Sequence, residues 1–270
     1  MQLDHITDLC CWLDDLTPCA YVGRGRPSSL STNEILTLLI WNTLVLRQKT
    51  LKDLHRFASL YHAQDFRIPA YSTFVAECHR ALPAILTLLK ELLVDTADIR
   101  LMDATMLPVC KLHRADAHKT AKNVAQFGKN WQGWHFGFKL HASIDTNGRL
   151  AGIALTGANV YDAQMMPKIL NEHCRVAVGD TLYGARVMGK KVWKEYGTII
   201  IAPPWPKQRK KIAAPWQIDL LNLRSKIESV FDILKEHLHL VSSFPRSVSG
   251  YLLQYMRTLL GYQVAVLSRG

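Results

Sequence analysis

The sequence predicts an α/β domain built on a mixed sheet and preceded by an all-helical domain. Three observations support this fold class. Apolar residues recur at helical spacing up to about residue 97, short apolar runs bounded by turn residues follow from residue 99, and helical patterns separate the later runs. The two predicted domains cover residues 1–97 and 98–270. With 49% hydrophobic residues, the 270-residue chain is long enough to bury a sizeable core.

Four helices are predicted in the first domain. Ser31-Thr-Asn-Glu34 offers a helix start with an acid in the first turn, followed by apolar residues at helical spacing. The other three are expected at about 51–61, 72–82 and 82–93. Basic residues on or near the turn before the second helix, namely Lys49, Lys52, His55 and Arg56, permit two interpretations. One is a helix-turn-helix that contacts DNA, and the other is a helix bundle without a DNA role.

Five strands are predicted in the second domain, at 99–106, 136–145, 149–157, 175–179 and 198–202. Asn-Gly in the turn Asp145-Thr-Asn-Gly148 readily adopts positive φ, so the second and third strands should form an antiparallel hairpin. Helices are expected at about 162–172, 185–195 and 217–238. This order of elements is that of the ribonuclease-H-like fold, although many α/β domains share a similar order.

The net charge of +11 is concentrated in two segments. Residues 111–150 carry seven Lys and Arg against two Asp, and residues 186–211 carry eight against one Glu. A local basic excess of this kind is typical of a nucleic-acid footprint. Apolar runs fall short of the roughly 20 residues of a membrane span, and the N-terminus lacks the pattern of a secretory signal. A cytoplasmic protein without a membrane partner is therefore expected.

Three carboxylates stand where catalysis would need them. Asp103 interrupts an apolar strand, Asp180 ends another strand, and Glu228 borders the apolar stripe of the last predicted helix. Each also has an ordinary interpretation: a solvent-facing strand end, a helix cap, and a surface ion pair with Arg224. Taken together, three such acids suit an array of two divalent ions that displaces a phosphodiester.

Five ordered segments connect these acids between residues 99 and 263. The segments are Asp103-Ala-Thr with Pro108-Val-Cys110, Trp134-His-Phe-Gly-Phe-Lys-Leu-His141, Leu155-Thr-Gly-Ala-Asn-Val-Tyr-Asp162, Gly179-Asp-Thr-Leu-Tyr183 and Arg224-Ser-Lys-Ile-Glu228. On these segments the chain resembles DDE transposases of bacterial insertion sequences, in particular the type numbered nine-eight-two in insertion-sequence nomenclature. It departs from related families at Thr181, where Lys is frequent, and at Leu221, where Tyr is frequent.

The resemblance implies a ribonuclease-H-like catalytic domain at 98–270, in which Asp103, Asp180 and Glu228 are catalytic and bind two Mg²⁺ ions, with Mn²⁺ as a substitute. In this enzymatic context we expect the helical domain at 1–97 to bind DNA. It implies a transposase that nicks double-stranded DNA at the element's terminal repeats and transfers the freed ends to target DNA. Such enzymes act as homodimers or higher multimers on DNA, here at the bacterial nucleoid. Two alternatives stay open: a nuclease or resolvase of the same fold without strand transfer, and a catalytically silent DNA-binding regulator.

Further side chains are predicted to contact DNA through charge or base stacking. They are Arg24, Arg26, Lys129, Trp131, Lys190, Lys191, Lys207, Arg209, Lys210, Lys211, Arg224 and Lys235. Trp134 is expected to face inward with Phe136 and Phe138, which leaves Trp131 as the stacking candidate. Rival carboxylates to the three acids are Asp116, Asp145, Asp162 and Asp232. Among these, Asp162 is expected nearest to the catalytic residues.

Overall fold

The computed structural model describes residues 5–16, 28–205, 213–242 and 244–269. They belong to two compact units: a helical unit of Met1–Leu92 with Leu234–Gly270, and a sheet unit of Leu93–Ile233. The chain after residue 233, which we expected in the second domain, thus clusters with the N-terminal helices. The division into a DNA-binding and a catalytic domain remains a prediction.

The described secondary structure follows the chain as predicted in most places. The α-helices are α1 (Ile6–Leu16), α2 (Thr32–Trp41), α3 (Leu51–Tyr61), α4 (Tyr71–Arg80), α5 (Leu82–Leu92), α6 (Met166–Ile169), α7 (Arg186–Tyr196), α8 (Pro215–Leu223), α9 (Ser225–Asp232) and α10 (Val248–Leu267). The strands are β1 (Ile99–Pro108), β2 (Gln126–Asn130), β3 (Gly133–Ile144), β4 (Leu150–Gly157), β5 (Val176–Val178) and β6 (Ile199–Ile201).

Local capping explains where the first helices begin. At the start of α2, the Ser31 hydroxyl accepts the backbone N–H of Glu34 at 3.2 Å, and the Glu34 carboxylate accepts the N–H of Ser31 at 2.5 Å. This reciprocal capping box satisfies two amides that the helix itself leaves unpaired. At α3 the Thr50 hydroxyl accepts the N–H of Asp53 at 3.1 Å. Both predicted helix starts are confirmed.

The longest helix, α10, was not predicted from the sequence. Its residues are buried on every side between Leu253 and Val264, and it packs against α2 and α5. A helix that is buried all round lacks the polar stripe from which helical periodicity is recognised. Nowhere in the described part of the chain does a helix combine the length and the apolar character that a bilayer crossing requires.

The sheet unit contains the predicted mixed sheet, with strand order β2-β3-β1-β5-β6 and β4 paired with β3. β3 is antiparallel to β1, β2 and β4, whereas β5 is parallel to β1 and to β6. The predicted hairpin is β3–β4, and Gly148 in its turn has a φ of 87°, which a side chain would disfavour. The ribonuclease-H-like fold class is confirmed.

Three details of the sheet unit differ from the sequence prediction. The helix expected at 162–172 is a 3₁₀ turn, Asp162–Met165, followed by the short α6, and the chain is already extended at Leu170. The long helix expected at 217–238 is divided at Arg224 into α8 and α9, followed by the π-helical turn Ile233–His237. Strand β2 was not predicted, because its one buried residue is Gly128 and it has no apolar alternation.

Candidate active site

Asp103 lies in the middle of β1, which is flanked by β3 and β5. Its Oδ1 accepts a hydrogen bond from the backbone N–H of Ala104 at 2.8 Å. Burial raises the pKa of this carboxyl to about 7. The N–H of Ala104 and the charge of Arg224 lower the pKa, while the negative charges of Asp180 and Glu228 raise it further. The three acids therefore share one electrostatic environment.

Asp180 comes two residues after the end of β5, the parallel strand next to β1. Leu101 of β1 pairs with Val178 of β5, and each acid lies two residues beyond its member of this pair. Adjacent strands are about 4.8 Å apart, so this register brings the two acids to the same region of the sheet, and the charge of Asp180 raises the pKa of Asp103. Oδ1 of Asp180 also accepts the N–H of Leu182 at 2.9 Å and caps the following 3₁₀ turn. Asp180 can cap this turn through Oδ1 and still present its other oxygen, Oδ2, to a site that it shares with Asp103.

Glu228 reaches this region from α9, which packs against β1. The helix buries Ile227, Val230 and Phe231, so Glu228 stands at the edge of the buried face and its side chain is 49% exposed. Its Oε1 lies 2.6 Å from Nη1 of Arg224. The surface ion pair with Arg224, which was the ordinary interpretation of Glu228, is therefore present. Glu228 also acts on Asp103, because its negative charge raises the pKa of that carboxyl.

Arg224 is the shared counterion of the acid cluster formed by Asp103, Asp180 and Glu228. Besides its ion pair with Glu228, it lowers the pKa of Asp103 and of Asp180. The pKa of Asp180 is nevertheless raised, chiefly by burial and further by the negative charge of Asp162. Among the described residues, Arg224 is the cation that acts on the pKa of both Asp103 and Asp180. Its single charge against three acids leaves excess negative charge, which favours binding of another cation.

The donor chemistry of the acid cluster suits a hard divalent ion. Carboxylate oxygens are the ligands that Mg²⁺ takes from proteins, and one oxygen each of Asp103 and Glu228 is engaged by Ala104 and Arg224. Within the described ranges, no group of three or more His, Cys, Asp or Glu side chains is close enough for a ready-made metal site. A bound ion would have to draw the side chains of the cluster together.

A fourth carboxylate, Asp162, lies next to the acid cluster and has its own partners. Its Oδ1 is 2.9 Å from Nζ of Lys139, which also donates to the backbone oxygen of Val160 at 2.8 Å. Nδ1 of the fully buried His141 lies 3.8 Å from the same oxygen. Burial lowers the pKa of His141 to about 4, so this ring is neutral at pH 7. Asp162 is thus held by Lys139.

Sequence reasoning missed this buried polar network. Lys139, His141 and Ser143 are all buried at alternate positions of β3, so they share one face of the strand. Three polar residues at period two within an otherwise apolar strand are the signal that the sequence offered. Such a pattern predicts a polar network on the covered face of a sheet.

Tyr183 is a buried residue close enough to the acid cluster for the charges of Asp103 and Asp180 to raise its pKa. It is fully buried, and its hydroxyl has no hydrogen-bond partner among the described residues. Burial raises its pKa well above the usual value, and Asp103, Asp162 and Asp180 raise it further. A Cβ at Gly179 would lie 2.6 Å from Cδ2 of the Tyr183 ring. The glycine before Asp180 is therefore needed to admit this ring.

The residues predicted to bind DNA do not form one cluster in the described part of the chain but lie on several different elements. Trp131, at the β2–β3 turn, is 90% exposed. Trp134 is 55% exposed, so its predicted inward orientation is wrong, and the ammonium of Lys129 lies 5.9 Å from its ring centroid. Lys190 and Lys191 are exposed on α7.

The other predicted DNA contacts are divided between the two units or fall outside the structure. Lys235 lies in the π-helical turn after α9 and belongs to the helical unit. Arg224 is part of the acid cluster. The predicted contacts that lie outside the described residues are Arg24, Arg26, Lys207, Arg209, Lys210 and Lys211.

Comparison with known proteins adds one match. The family model described as Transposase DDE domain matches residues 94–248, which include the whole sheet, Asp103, Asp180 and Glu228. No curated protein matches the chain.

Proposed function

The chain belongs to the family of transposases with a DDE domain, and from this premise we propose that it is the transposase of a bacterial insertion sequence. In this proposal it hydrolyses phosphodiester bonds at the terminal repeats of its element and joins the freed 3′-hydroxyls to target DNA. Its catalytic residues are Asp103, Asp180 and Glu228. Family membership makes DNA its substrate class; the end cleavage, the strand transfer and the residue roles are the proposal.

One observation carries the assignment of the residues. Asp180, which follows β5, and Glu228, which lies on α9, both raise the pKa of Asp103, the carboxylate in the centre of the sheet. Excess negative charge in one place destabilises a fold unless a cation compensates it. Because the acid cluster lowers the stability of the fold when no cation is bound, its presence supports the proposal of a cation-dependent reaction.

We propose Mg²⁺ as the natural ion, with Mn²⁺ as a substitute, held by Asp103, Asp180 and Glu228. Two such ions, when bound, activate an attacking hydroxyl and stabilise the leaving oxygen of a phosphodiester. Arg224 has a second role in this proposal. Once a cation neutralises Glu228, the guanidinium is released to contact a DNA phosphate, which its planar fork of donors suits.

The exposed basic and aromatic side chains support a path for DNA. Trp131 stacks on an unpaired base at the element's end, and Lys129, Lys190 and Lys191 contact phosphates in this proposal. Lys235 and the basic residues outside the described ranges belong to the same set. Because two ends must be cut and joined together, the active form is a homodimer or a higher multimer on DNA. Its substrate lies in the bacterial nucleoid.

The experiment that tests this function is Mg²⁺-dependent cleavage of DNA carrying the element's own ends. Wild type is compared with Asp103→Asn, Asp180→Asn and Glu228→Gln, and with Asp232→Asn as a matched control, since Asp232 is an exposed acid on the Glu228 helix. Each of the first three substitutions is expected to abolish cleavage while DNA binding is retained, and the control is expected to cut normally.

The same assay separates the proposal from its rivals. Cleavage without joining to target DNA would favour a nuclease or resolvase, and binding without any cleavage would favour a DNA-binding regulator. Normal cleavage by the three variants would remove the acid cluster from the mechanism. Asp162→Asn then becomes the next variant to measure.

A further inference from the structure

A pocket of about 370 Å³ in the helical unit has a positively charged lining. It is bounded by the turn before α3, by α4 and by the segment that leads into α10. Lys49, Arg246 and Arg257 line it. None of the described residues that line the pocket is Asp or Glu. The pocket therefore attracts anions.

Arg257 is the deepest of these cations. It is 3% exposed, its Nε and Nη2 donate to Oε1 of Gln254 at 3.1 and 2.6 Å, and Nη2 also donates to the backbone oxygen of Lys49 at 3.3 Å. Its Nη1 is buried without a hydrogen-bond partner among the described residues. Burying a guanidinium with neutral partners and an unused donor costs free energy, and an anion bound beside it would offset that cost.

The charge of Arg257 persists at neutral pH. Burial lowers its pKa to about 10, opposed by the nearby thiol of Cys78. The side chain is therefore a cation under physiological conditions, even at this depth.

The N-terminus of α10 opens into the same pocket. Gly250, Leu253 and Gln254 line it and precede Arg257 by seven, four and three residues, so one face of the helix extends from its first turn to the guanidinium. The Ser247 hydroxyl accepts the N–H of Gly250 at 3.0 Å. The first amides and the helix dipole provide positive potential for an anion. Two independent features thus favour negative charge here.

Aromatic rings stand at the rim of the pocket. Tyr71 is 42% exposed and Phe244 is 60% exposed, and both line it. Exposed rings beside a phosphate-binding site give a nucleobase a surface on which to stack. The volume lies within the range of pockets for small organic ligands.

We propose that this pocket binds the phosphate group of a nucleotide, with Lys49, Arg246 and Arg257 as donors and the rings of Tyr71 and Phe244 beside the base. The nucleotide is either part of a DNA strand or free, and the recognised chemistry is the same. The site is separate from the acid cluster and requires no cleavage. It gives the helical unit a DNA contact distinct from the basic residues predicted from the sequence.

The test measures binding by the full-length chain with metal chelated, so that catalysis does not enter. The ligands are a short single strand, a duplex, thymidine monophosphate and inorganic phosphate. Arg246→Ala and Lys49→Ala remove exposed donors without opening a core. If DNA is the source, each variant weakens DNA binding about tenfold and lowers the salt slope by about one. If a free nucleotide is the source, the variants lose thymidine monophosphate binding and retain DNA binding.

The matched control is Arg80→Ala, an exposed arginine on α4 that does not line the pocket; it should behave as wild type with every ligand. Arg257→Lys tests the buried donor if its unfolding temperature shows that the variant is folded. If the variant does not fold, Arg246→Ala and Lys49→Ala alone decide whether the pocket binds phosphate. The proposal fails if Arg246→Ala and Lys49→Ala bind all four ligands as tightly as wild type. If the wild type binds phosphate in this pocket but does not cut DNA in the separate Mg²⁺-dependent assay, the catalytic proposal alone is contradicted.

Discussion

Arg224 forms an ion pair with Glu228 across one helical turn, with Nη1 2.6 Å from Oε1. The same guanidinium lowers the pKa of Asp103, which lies on β1, and of Asp180, which follows β5. A residue at the junction of α8 and α9 therefore couples all three acids. The sequence predicted one continuous helix here, whereas the structure has two, and Arg224 lies between them.

Replacing Arg224 should move the acid limb of the pH–rate profile. In Arg224→Gln the pKa values of Asp103 and Asp180 rise, because an attractive charge is lost, and the cluster ionises at higher pH. We expect Mg²⁺-dependent cleavage at neutral pH to fall about tenfold for each unit by which the limb moves. Lys226→Gln is the control, since Lys226 lies on the same helix but donates to the backbone oxygen of Thr146. An unchanged profile would show that Arg224 does not act on the acids.

Stability in the absence of metal should depend on pH through Asp103. Its pKa is about 7 in the folded chain and 3.8 in the reference state, so the folded state binds the proton more tightly. The stabilisation is complete below about pH 4 and is lost as the pH rises through about 7. Relative to wild type, Asp103→Asn should therefore gain stability at about pH 8, by at most about 4 kcal/mol, and little at about pH 4. Chemical denaturation with a chelator present measures this difference.

Magnesium provides the complementary measurement. It should raise the unfolding free energy of the wild type at about pH 8, because it binds the ionised carboxylate, and should have little effect on Asp103→Asn. Equal stabilisation of both chains would show that the ion binds elsewhere.

Gly179→Ala should destabilise the sheet unit. The new Cβ would lie 2.6 Å from the ring of Tyr183, which is buried in the core of that unit and has little room to move. We expect a loss of about 1–3 kcal/mol in unfolding free energy. Gly189→Ala is the matched control, since a Cβ there meets nothing within 4 Å, and in the interior of α7 it should be neutral or stabilising. Similar effects of the two substitutions would contradict the steric argument.

Local signals in the sequence predicted those parts of the fold that local chemistry determines. Asn-Gly in the β3–β4 turn and the capping residues of α2 and α3 act within a few residues of where they stand. Strand β2 has no such signal. It is a strand because it pairs with β3, and its own sequence has no strand pattern. Trp134 was misplaced for a related reason. Trp134 pairs with Lys129 near the end of β2, which is an edge strand. It is exposed there, whereas Phe136 and Phe138 on the same strand are buried.

For the candidate site, the sequence indicated the acids but not their partners. Asp103, Asp180 and Glu228 stand out because a carboxylate is unusual beside a buried strand or helix face. Lys139 and Asp162 are 23 residues apart, and their contact depends on how β3 and the segment after β4 fold together. Arg257 in the phosphate pocket is hidden for the same reason, since its burial follows from the packing of α10.

Trp131 should contribute to DNA binding without contributing to stability. It is 90% exposed at the β2–β3 turn, so Trp131→Ala removes almost no packing. If a base stacks on it, affinity for DNA ends with an unpaired nucleotide should fall by about 1–3 kcal/mol, while affinity for a fully paired duplex changes less. Trp216→Ala, at an exposed position of α8, is the control. Equal binding by Trp131→Ala and wild type to both DNAs would remove this residue from the proposed DNA path.

Loss of either member of the Lys139–Asp162 pair should destabilise the sheet unit more than loss of both. Their side chains are 10% and 16% exposed, so Lys139→Met leaves a largely buried carboxylate without its cation, which typically costs about 3–5 kcal/mol. In the double variant Lys139→Met, Asp162→Asn the unpaired charge is gone, and much of that loss should be recovered. Denaturation of the two single variants and the double variant forms a cycle that measures the coupling. If the folded double variant cuts DNA, neither Lys139 nor Asp162 is required for catalysis. If it folds without cutting, cleavage by the single variant Asp162→Asn decides which of the two residues the reaction needs.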